Sequence, residues 1–336
     1  MSFKKVLPLS SGRTIPQIGL GTWLAEPGEV KAAVEIAIKH GYRHLDLAMC
    51  YENQSEVGQA LAEFLPNAKG VFPHPEVKVE RKDLFITSKL WNCSHQREYA
   101  VRELDETLNQ LGIDYLDLYL VHWPVAYEPG NGLNPMHPTK ENQRHLDLKT
   151  TVIETWETMI ALKKTGKVKD IGVSNFSIDY IKGITKTGLE MPVVNQIEMH
   201  PLLLQNNLVN FCNQHKIHIT AYSPLGNNLV GLPKLTDHPV VQEIAAKHGS
   251  KTTPAQTLIA WGAHRGFSVI PKSVHEERIR SNFEQVELSN DEFEKISAIG
   301  KNRHRFNIPY NNKVRWDIDI FGEPEEANAT NKVNIG

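Results

Sequence analysis

Cysteine is scarce, long apolar runs are missing and neither charge dominates. Each shortage excludes something. The three cysteines, Cys50, Cys93 and Cys212, form no CxxC pair and are odd in number. That argues against a disulfide framework and for a reducing compartment. No stretch approaches the roughly 18 consecutive apolar residues of a membrane span. The opening MSFKKVLPLSSGRTIPQ has no apolar run long enough for a signal peptide. A cytoplasmic location is therefore expected, with no membrane partner. The sequons at Asn53, Asn92, Asn175 and Asn328 then read as chance matches. With 37 basic and 39 acidic side chains and a formal net charge of −2, no basic block stands out, so no nucleic-acid partner is expected.

What is present is an ordinary globular composition, 40% hydrophobic and 23% charged. At 336 residues the chain can bury a large core, and α/β barrels reach this size as one unit. Eight short apolar runs read as strands: IGLGT (18–22), YRHLDL (42–47), LFITSKL (84–90), YLDLYLVH (115–122), VKDIGVS (168–174), PVVNQIE (192–198), IHITAYS (217–223) and FSVIPK (267–272). Most are continuous rather than alternating, as parallel strands covered on both faces are.

Amphipathic stretches lie between them. Residues 28–41 put Val30, Val34, Ala37 and Ile38 on one face, with Gly41 as a stop. Residues 94–112 predict a helix capped by Ser94, with Tyr99, Val101, Leu104, Leu108 and Leu111 as its apolar stripe. Segments 151–166, 237–249 and 253–266 also read as helices. Strand followed by helix, repeated eight times, points to a (β/α)8 barrel of the TIM type; an open doubly wound sheet is the runner-up. Three segments stand outside the repeat: a Pro-rich insertion at 66–82, a long polar loop at 123–149 and a tail at 302–336. The tail's aromatics point to docking, ahead of a frayed end.

GLGTWL (19–24) opens like a dinucleotide fingerprint but lacks its third glycine. Strand ends are more informative, because carboxyl-end side chains of a barrel face the active site. Those positions hold Asp46, Lys89, His122, Ser174, Asn175, Gln196, Tyr222, Ser223 and Lys272, with Tyr51 just past the second strand. Singly, Lys89 reads as a solvated rim lysine, His122 as a satisfied core histidine and Asp46 as a helix cap. Four such groups converging on one mouth read better as a site.

GLGTW, the Asp46–Tyr51 spacing with YENQSEVG, ITSKLW, LYLVHWP, GVSNF, NQIEMHP, AYSPLG and IPKSVHEERIRSNF occur in order along the chain. In these stretches the sequence resembles the aldo-keto reductase superfamily, in its aldehyde/aldose reductase branch, and its tail is similar to that of fungal members. The resemblance implies one domain over 1–336, a barrel with an N-terminal β-hairpin and a C-terminal loop closing over the mouth, and a monomer.

It also implies a catalytic tetrad of Asp46, Tyr51, Lys89 and His122. A carbonyl being reduced gathers negative charge on oxygen and needs a proton. A free tyrosine titrates near 10, so a neighbouring Lys89 ammonium is expected to lower it, with Asp46 holding that ammonium and His122 orienting the carbonyl. The matching cofactor positions are Thr22 and Trp23 near the nicotinamide, Tyr222 as its stacking ring, and Ser174, Asn175 and Gln196 on its carboxamide. Ser223 and Leu225 match the pyrophosphate region, Lys272, Ser273 and Arg278 the 2′-phosphate, and Asn282 the adenine. Two cations and a hydroxyl suit a dianionic phosphate, so NADPH is expected over NADH. Ser281, where many members carry glutamate, and Leu47, where Thr or Ser is usual, depart from the pattern without removing a catalytic group.

Trp23, Met49, Trp91, Trp123 and His122 are expected to line the substrate pocket, with Trp316 helping to close it. Lys313 and Arg315 read as solvated tail cations. The expected activity is reduction of aldehydes, aldoses or uronates. Its alternatives are oxidation of a polyol such as glycerol and a non-catalytic cofactor-binding subunit. A metal hydrolase would show HxH after the first strand, which here ends in GTW, so no metal is expected.

Overall fold

The computed structural model describes residues 5–226 and 231–336. The first four residues of the opening stretch and the four that follow AYSPLG lie outside it. All eight expected strands form: β1 (Leu20–Gly21), β2 (His44–Asp46), β3 (Phe85–Leu90), β4 (Leu116–Val121), β5 (Val168–Ser174), β6 (Val194–Glu198), β7 (His218–Tyr222) and β8 (Ser268–Val269). They are hydrogen-bonded in sequence order, each pair parallel.

The sheet closes on itself. Ile18 bridges to Val269 and Gly21 to Lys272, and the Gly19 N–H donates to the Val269 carbonyl at 2.9 Å. This closure leaves the sheet no free edge and separates the barrel from the open doubly wound alternative. Gly19 is required by a close approach: a Cβ there would lie 2.7 Å from the His44 ring.

Alternation along β4 shows the two cores. Leu118 and Leu120 pack inside with Phe85 and Val194, while Tyr119 and Val121 join the outer layer beneath the helices. The hairpin Val6–Pro8/Thr14–Pro16 plugs the amino-terminal end, placing Leu9 and Ile15 in the inner cluster. Arg13 ties it down through Asp117 at 2.9 Å and Asp170 at 3.3 Å.

The outer helices include Glu29–Lys39, Gln54–Ala62, Arg97–Leu111, Val152–Lys164, Pro239–Lys247 and Pro254–His264. One helix start departs from expectation. Ser94 is not the cap: it closes a short 3-10 turn, Asn92–Ser94, and the helix begins at Arg97 behind Gln96. Its buried face is Ala100, Glu103, Leu104, Thr107, Leu108 and Leu111, whereas Val101 is exposed. Glu103 takes the inner position because its carboxylate accepts the Trp91 N–H at 2.7 Å; burial pushes that carboxyl up to about 7.

The 123–149 segment is more than a polar loop. It contains the ribbon Ala126–Tyr127/Leu146–Asp147 and buries both Tyr127 and Asp147. The tail does not fray. Val152 and Ile153 donate their N–H groups to the carbonyls of Asn334 and Ile335, so the tail's end satisfies orphan donors at a helix start. The 66–82 insertion follows the second helix as expected and ends in a 3-10 turn at Arg81–Asp83.

Candidate active site

Strands β2, β3 and β4 bring Asp46, Lys89 and His122 to the carboxyl end of the barrel, and the 3-10 turn Met49–Tyr51 lifts Tyr51 beside them. Lys89 is fully buried. Its Nζ donates to Asp46 Oδ1 at 2.5 Å, to the Leu47 carbonyl at 2.7 Å and to Tyr51 Oη at 3.2 Å. Three acceptors match the three ammonium donors, which is how a fully desolvated lysine is tolerated. Asp46 Oδ2 accepts from Gln196 Nε2 at 2.6 Å.

Tyr51 departs from expectation. Burial pushes its hydroxyl well above the ordinary phenol range, and the Asp46 charge adds to the shift. Lys89 does not reverse this, because its charge is directed first at Asp46, 0.7 Å nearer than the phenol. His122 sits edge-on to Tyr51 and Trp91, with ring centroids 5.9 and 5.2 Å away. Burial, then the Lys89 charge, holds its pKa well below the usual histidine range, so the ring is neutral.

The neighbouring amides form one network. Ser174 Oγ donates to the Gln196 carbonyl at 2.8 Å, Asn175 Nδ2 to the His122 carbonyl at 3.0 Å, and Tyr222 Oη to Asn175 Oδ1 at 2.6 Å. Asn175 and Ser223 hold left-handed backbone, φ 63° and 48°. Non-glycine residues kept there mark over-determined positions. Thr22 Oγ1 donates to the Asp46 carbonyl at 2.9 Å, and Asn53 Nδ2 to the Thr22 carbonyl at 3.0 Å.

An aromatic box stands over His122. Trp316, from the tail, packs against Trp123 and Tyr127 at 5.2 Å each and Trp91 at 6.0 Å; Phe321 meets Trp123 at 6.1 Å. Met49 and Trp91 are buried, Trp123 is half-buried and Trp23 exposed.

A model of the Aldo/keto reductase family matches residues 17–301. The chain belongs to the aldo/keto reductase family. It is 44% identical over 339 residues to a D/L-glyceraldehyde reductase of Hypocrea jecorina, covering 100% of this chain and 99% of that one. It is 41% identical to a glycerol 2-dehydrogenase (NADP(+)) of Saccharomyces cerevisiae, covering 94% and 96%. A solved aldose reductase from Schistosoma japonicum superposes with a TM-score of 0.81 at 38% identity, over 95% of this chain and 99% of that one. This aldo/keto reductase family member is thus an oxidoreductase acting on carbonyl and alcohol groups.

The family and the NADP(+) in the yeast relative's name point to a nicotinamide cofactor, and the residues present fit one. Gln196 Oε1 makes no hydrogen bond among the described residues, leaving an acceptor for a carboxamide beside Ser174 and Asn175. Lys272 Nζ donates to the Leu24 carbonyl at 2.7 Å and makes no other hydrogen bond among the described residues, and Arg278 is exposed. Ser273 and Asn282 are buried nearby, and the Asn282 side-chain amide makes no hydrogen bond among the described residues. Leu225 and Ser223 are half-buried. No group of three or more His, Cys, Asp or Glu residues that could hold a metal occurs among the described residues.

Sequence reasoning missed Asn53, Tyr127, Phe321 and Cys50. Tyr127 and Phe321 carried a faint signal, as aromatics inside otherwise polar segments. Cys50 adjoins Tyr51, and only the fold sets its sulfur against His122.

Proposed function

We propose that this chain reduces small aldehydes, glyceraldehyde and related sugar carbonyls including uronates, to alcohols with NADPH. The carrying observation is the buried Lys89 ammonium shared between Asp46 and Tyr51. The nicotinamide, when bound, supplies the reducing equivalent. Tyr51 delivers the proton to the carbonyl oxygen, and Lys89 stabilises the phenolate that remains. Asp46 keeps the ammonium in place, and Gln196 anchors Asp46 in turn. His122 orients the carbonyl by a hydrogen bond, and the aromatic box excludes water from the reacting atoms.

Thr22, Trp23, Ser174, Asn175, Gln196 and Tyr222 hold the nicotinamide end, Ser223 and Leu225 the pyrophosphate, and Lys272, Ser273, Arg278 and Asn282 the phosphorylated adenosine. Trp23, Met49, Trp91 and Trp123 line the substrate pocket. The activity for which the Hypocrea jecorina relative is named supports glyceraldehyde as substrate, and that of the yeast relative supports glycerol oxidation as the reverse reading.

The test is oxidation of NADPH, and of NADH in parallel, against DL-glyceraldehyde, xylose, glucuronate, galacturonate and an aromatic aldehyde. The expected result is turnover led by glyceraldehyde and confined to NADPH. The double variant Lys272→Ala/Arg278→Ala should lose NADPH affinity by about a hundredfold, from two charge-assisted contacts, and leave NADH affinity nearly unchanged. Equal losses for both cofactors would remove these residues from the 2′-phosphate, and tight NADPH binding with no turnover would favour the binding-subunit reading.

A further inference from the structure

His122 makes one side-chain contact of hydrogen-bonding type among the described residues: Nδ1 lies 3.6 Å from Cys50 Sγ. Its Nε2 makes none and is not among the enclosed polar atoms lacking a partner, so it opens on the cleft. Tyr51 and Trp91 pack edge-on against the ring and hold its plane. A neutral imidazole carries one proton, and its two tautomers do opposite things here. With the proton on Nε2 the ring donates to a carbonyl oxygen. With the proton on Nδ1 it faces that oxygen with a lone pair.

We propose that Cys50 is a positioning residue that fixes His122 in the Nε2–H tautomer by donating its S–H to Nδ1. The assignment rests on reading His122 as the group that orients the carbonyl. It follows from matching donor to acceptor. An imidazole nitrogen lone pair is a strong acceptor and a neutral thiol sulfur a weak one, so S–H···Nδ1 is preferred over Nδ1–H···S. Cys50 makes no other side-chain hydrogen bond to a different residue among those described. Burial pushes the thiol well above its ordinary range, so it keeps its proton. A side chain without a donor at position 50 leaves Nδ1 unpaired, and the two tautomers become comparable.

The test is nitrogen-15 NMR of the histidine rings in the cofactor-bound enzyme, with the His122 signals assigned by their loss in His122→Gln. Wild type should show pyridine-type Nδ1 and pyrrole-type Nε2 at His122. Cys50→Val, which roughly keeps the volume, and Cys50→Ala should both shift this pattern towards Nδ1–H. They should also lower kcat roughly twofold, because only about half of the molecules then hold the competent tautomer, with NADPH affinity unchanged. Because wild type is read first, a variant that fails to fold does not shield the assignment. Wild-type Nδ1–H, or a pattern unmoved in the folded variant, overturns it. A shifted pattern with unchanged kcat upholds the Cys50 contact and instead removes His122 from the proposed reaction.

Discussion

At the scale of single residues, the site is a set of buried charges and dipoles that satisfy one another. Lys89 is the pivot: an ammonium without solvent exposure persists because Asp46, Leu47 and Tyr51 accept its three protons. Burial, with Asp46 adding, holds the Tyr51 pKa above 10, so the phenol keeps its proton through neutrality. The sign follows. Reduction needs the protonated form, so its rate should stay flat through neutral pH and fall as pH climbs through the raised pKa. Alcohol oxidation needs the phenolate and should rise over the same range. Rate profiles in both directions check this; parallel slopes would remove Tyr51 as the proton carrier. Asp46, Lys89 and His122 were legible in the sequence because a charged or ionisable residue ending an apolar strand is anomalous. The direction of the Tyr51 shift was not, since it follows from how deeply the fold buries the hydroxyl, with the Asp46 charge adding to that burial.

At the scale of elements, helix packing turns on small side chains. Gly58, inside Gln54–Ala62, faces the end of Arg97–Leu111: a Cβ there would lie 2.1 Å from the Gln110 carbonyl oxygen and 3.0 Å from the Leu111 Cα. Backbone cannot yield as a side-chain tip can. Gly58→Ala should therefore destabilise by about 1–3 kcal/mol despite alanine's better helix propensity. The denaturation midpoint in urea measures it, and an unchanged or raised midpoint would show that the helices separate at little cost. The eight strands were legible because parallel strands covered on both faces read as apolar runs. The start of Arg97–Leu111 was not: Ser94 is a good cap by type, yet the chain first makes a 3-10 turn that buries Asn92, Cys93 and Ser94. The ribbon at 126–127 and 146–147 was hidden for a different reason, because two-residue strands carry no readable period.

At the scale of the whole molecule, the tail couples barrel stability to the pocket. Glu198, which ends β6 and is fully buried, accepts from the N–H groups of Phe306 and Asn307 at 2.8 and 2.9 Å and pairs with His200 at 2.8 Å. Arg303 and Arg305 both clasp Glu323. These contacts hold the segment that carries Trp316 and Phe321 over the mouth. Burial alone pushes the Glu198 carboxyl up, but the His200 hydrogen bond and charge, the Arg305 charge and the Phe306 N–H outweigh it and hold it down to about 2. Its contribution is then fully present above the ordinary glutamate pKa and is lost as pH falls from about 4.5 to 2, roughly 3 kcal/mol in all. Glu198→Gln sets an amide against donors. It should lower the denaturation midpoint, flatten the acid limb of the stability profile and raise KM more than it lowers kcat; an unchanged acid limb would show that the clasp carries no stability. A docked tail was legible from its aromatics. Docking as far as Ile335 was not, because it depends on carbonyls meeting N–H groups that lie almost two hundred residues away in sequence.

The most direct test of the account is Tyr51→Phe. The variant keeps the ring and removes only the hydroxyl that faces Lys89. NADPH-dependent glyceraldehyde reduction should fall at least a hundredfold, the scale of general-acid catalysis, with NADPH affinity unchanged by fluorescence titration. Near wild-type turnover would contradict this, leaving the Asp46–Lys89–Tyr51 cluster a structural feature of the barrel mouth and the proton donor elsewhere.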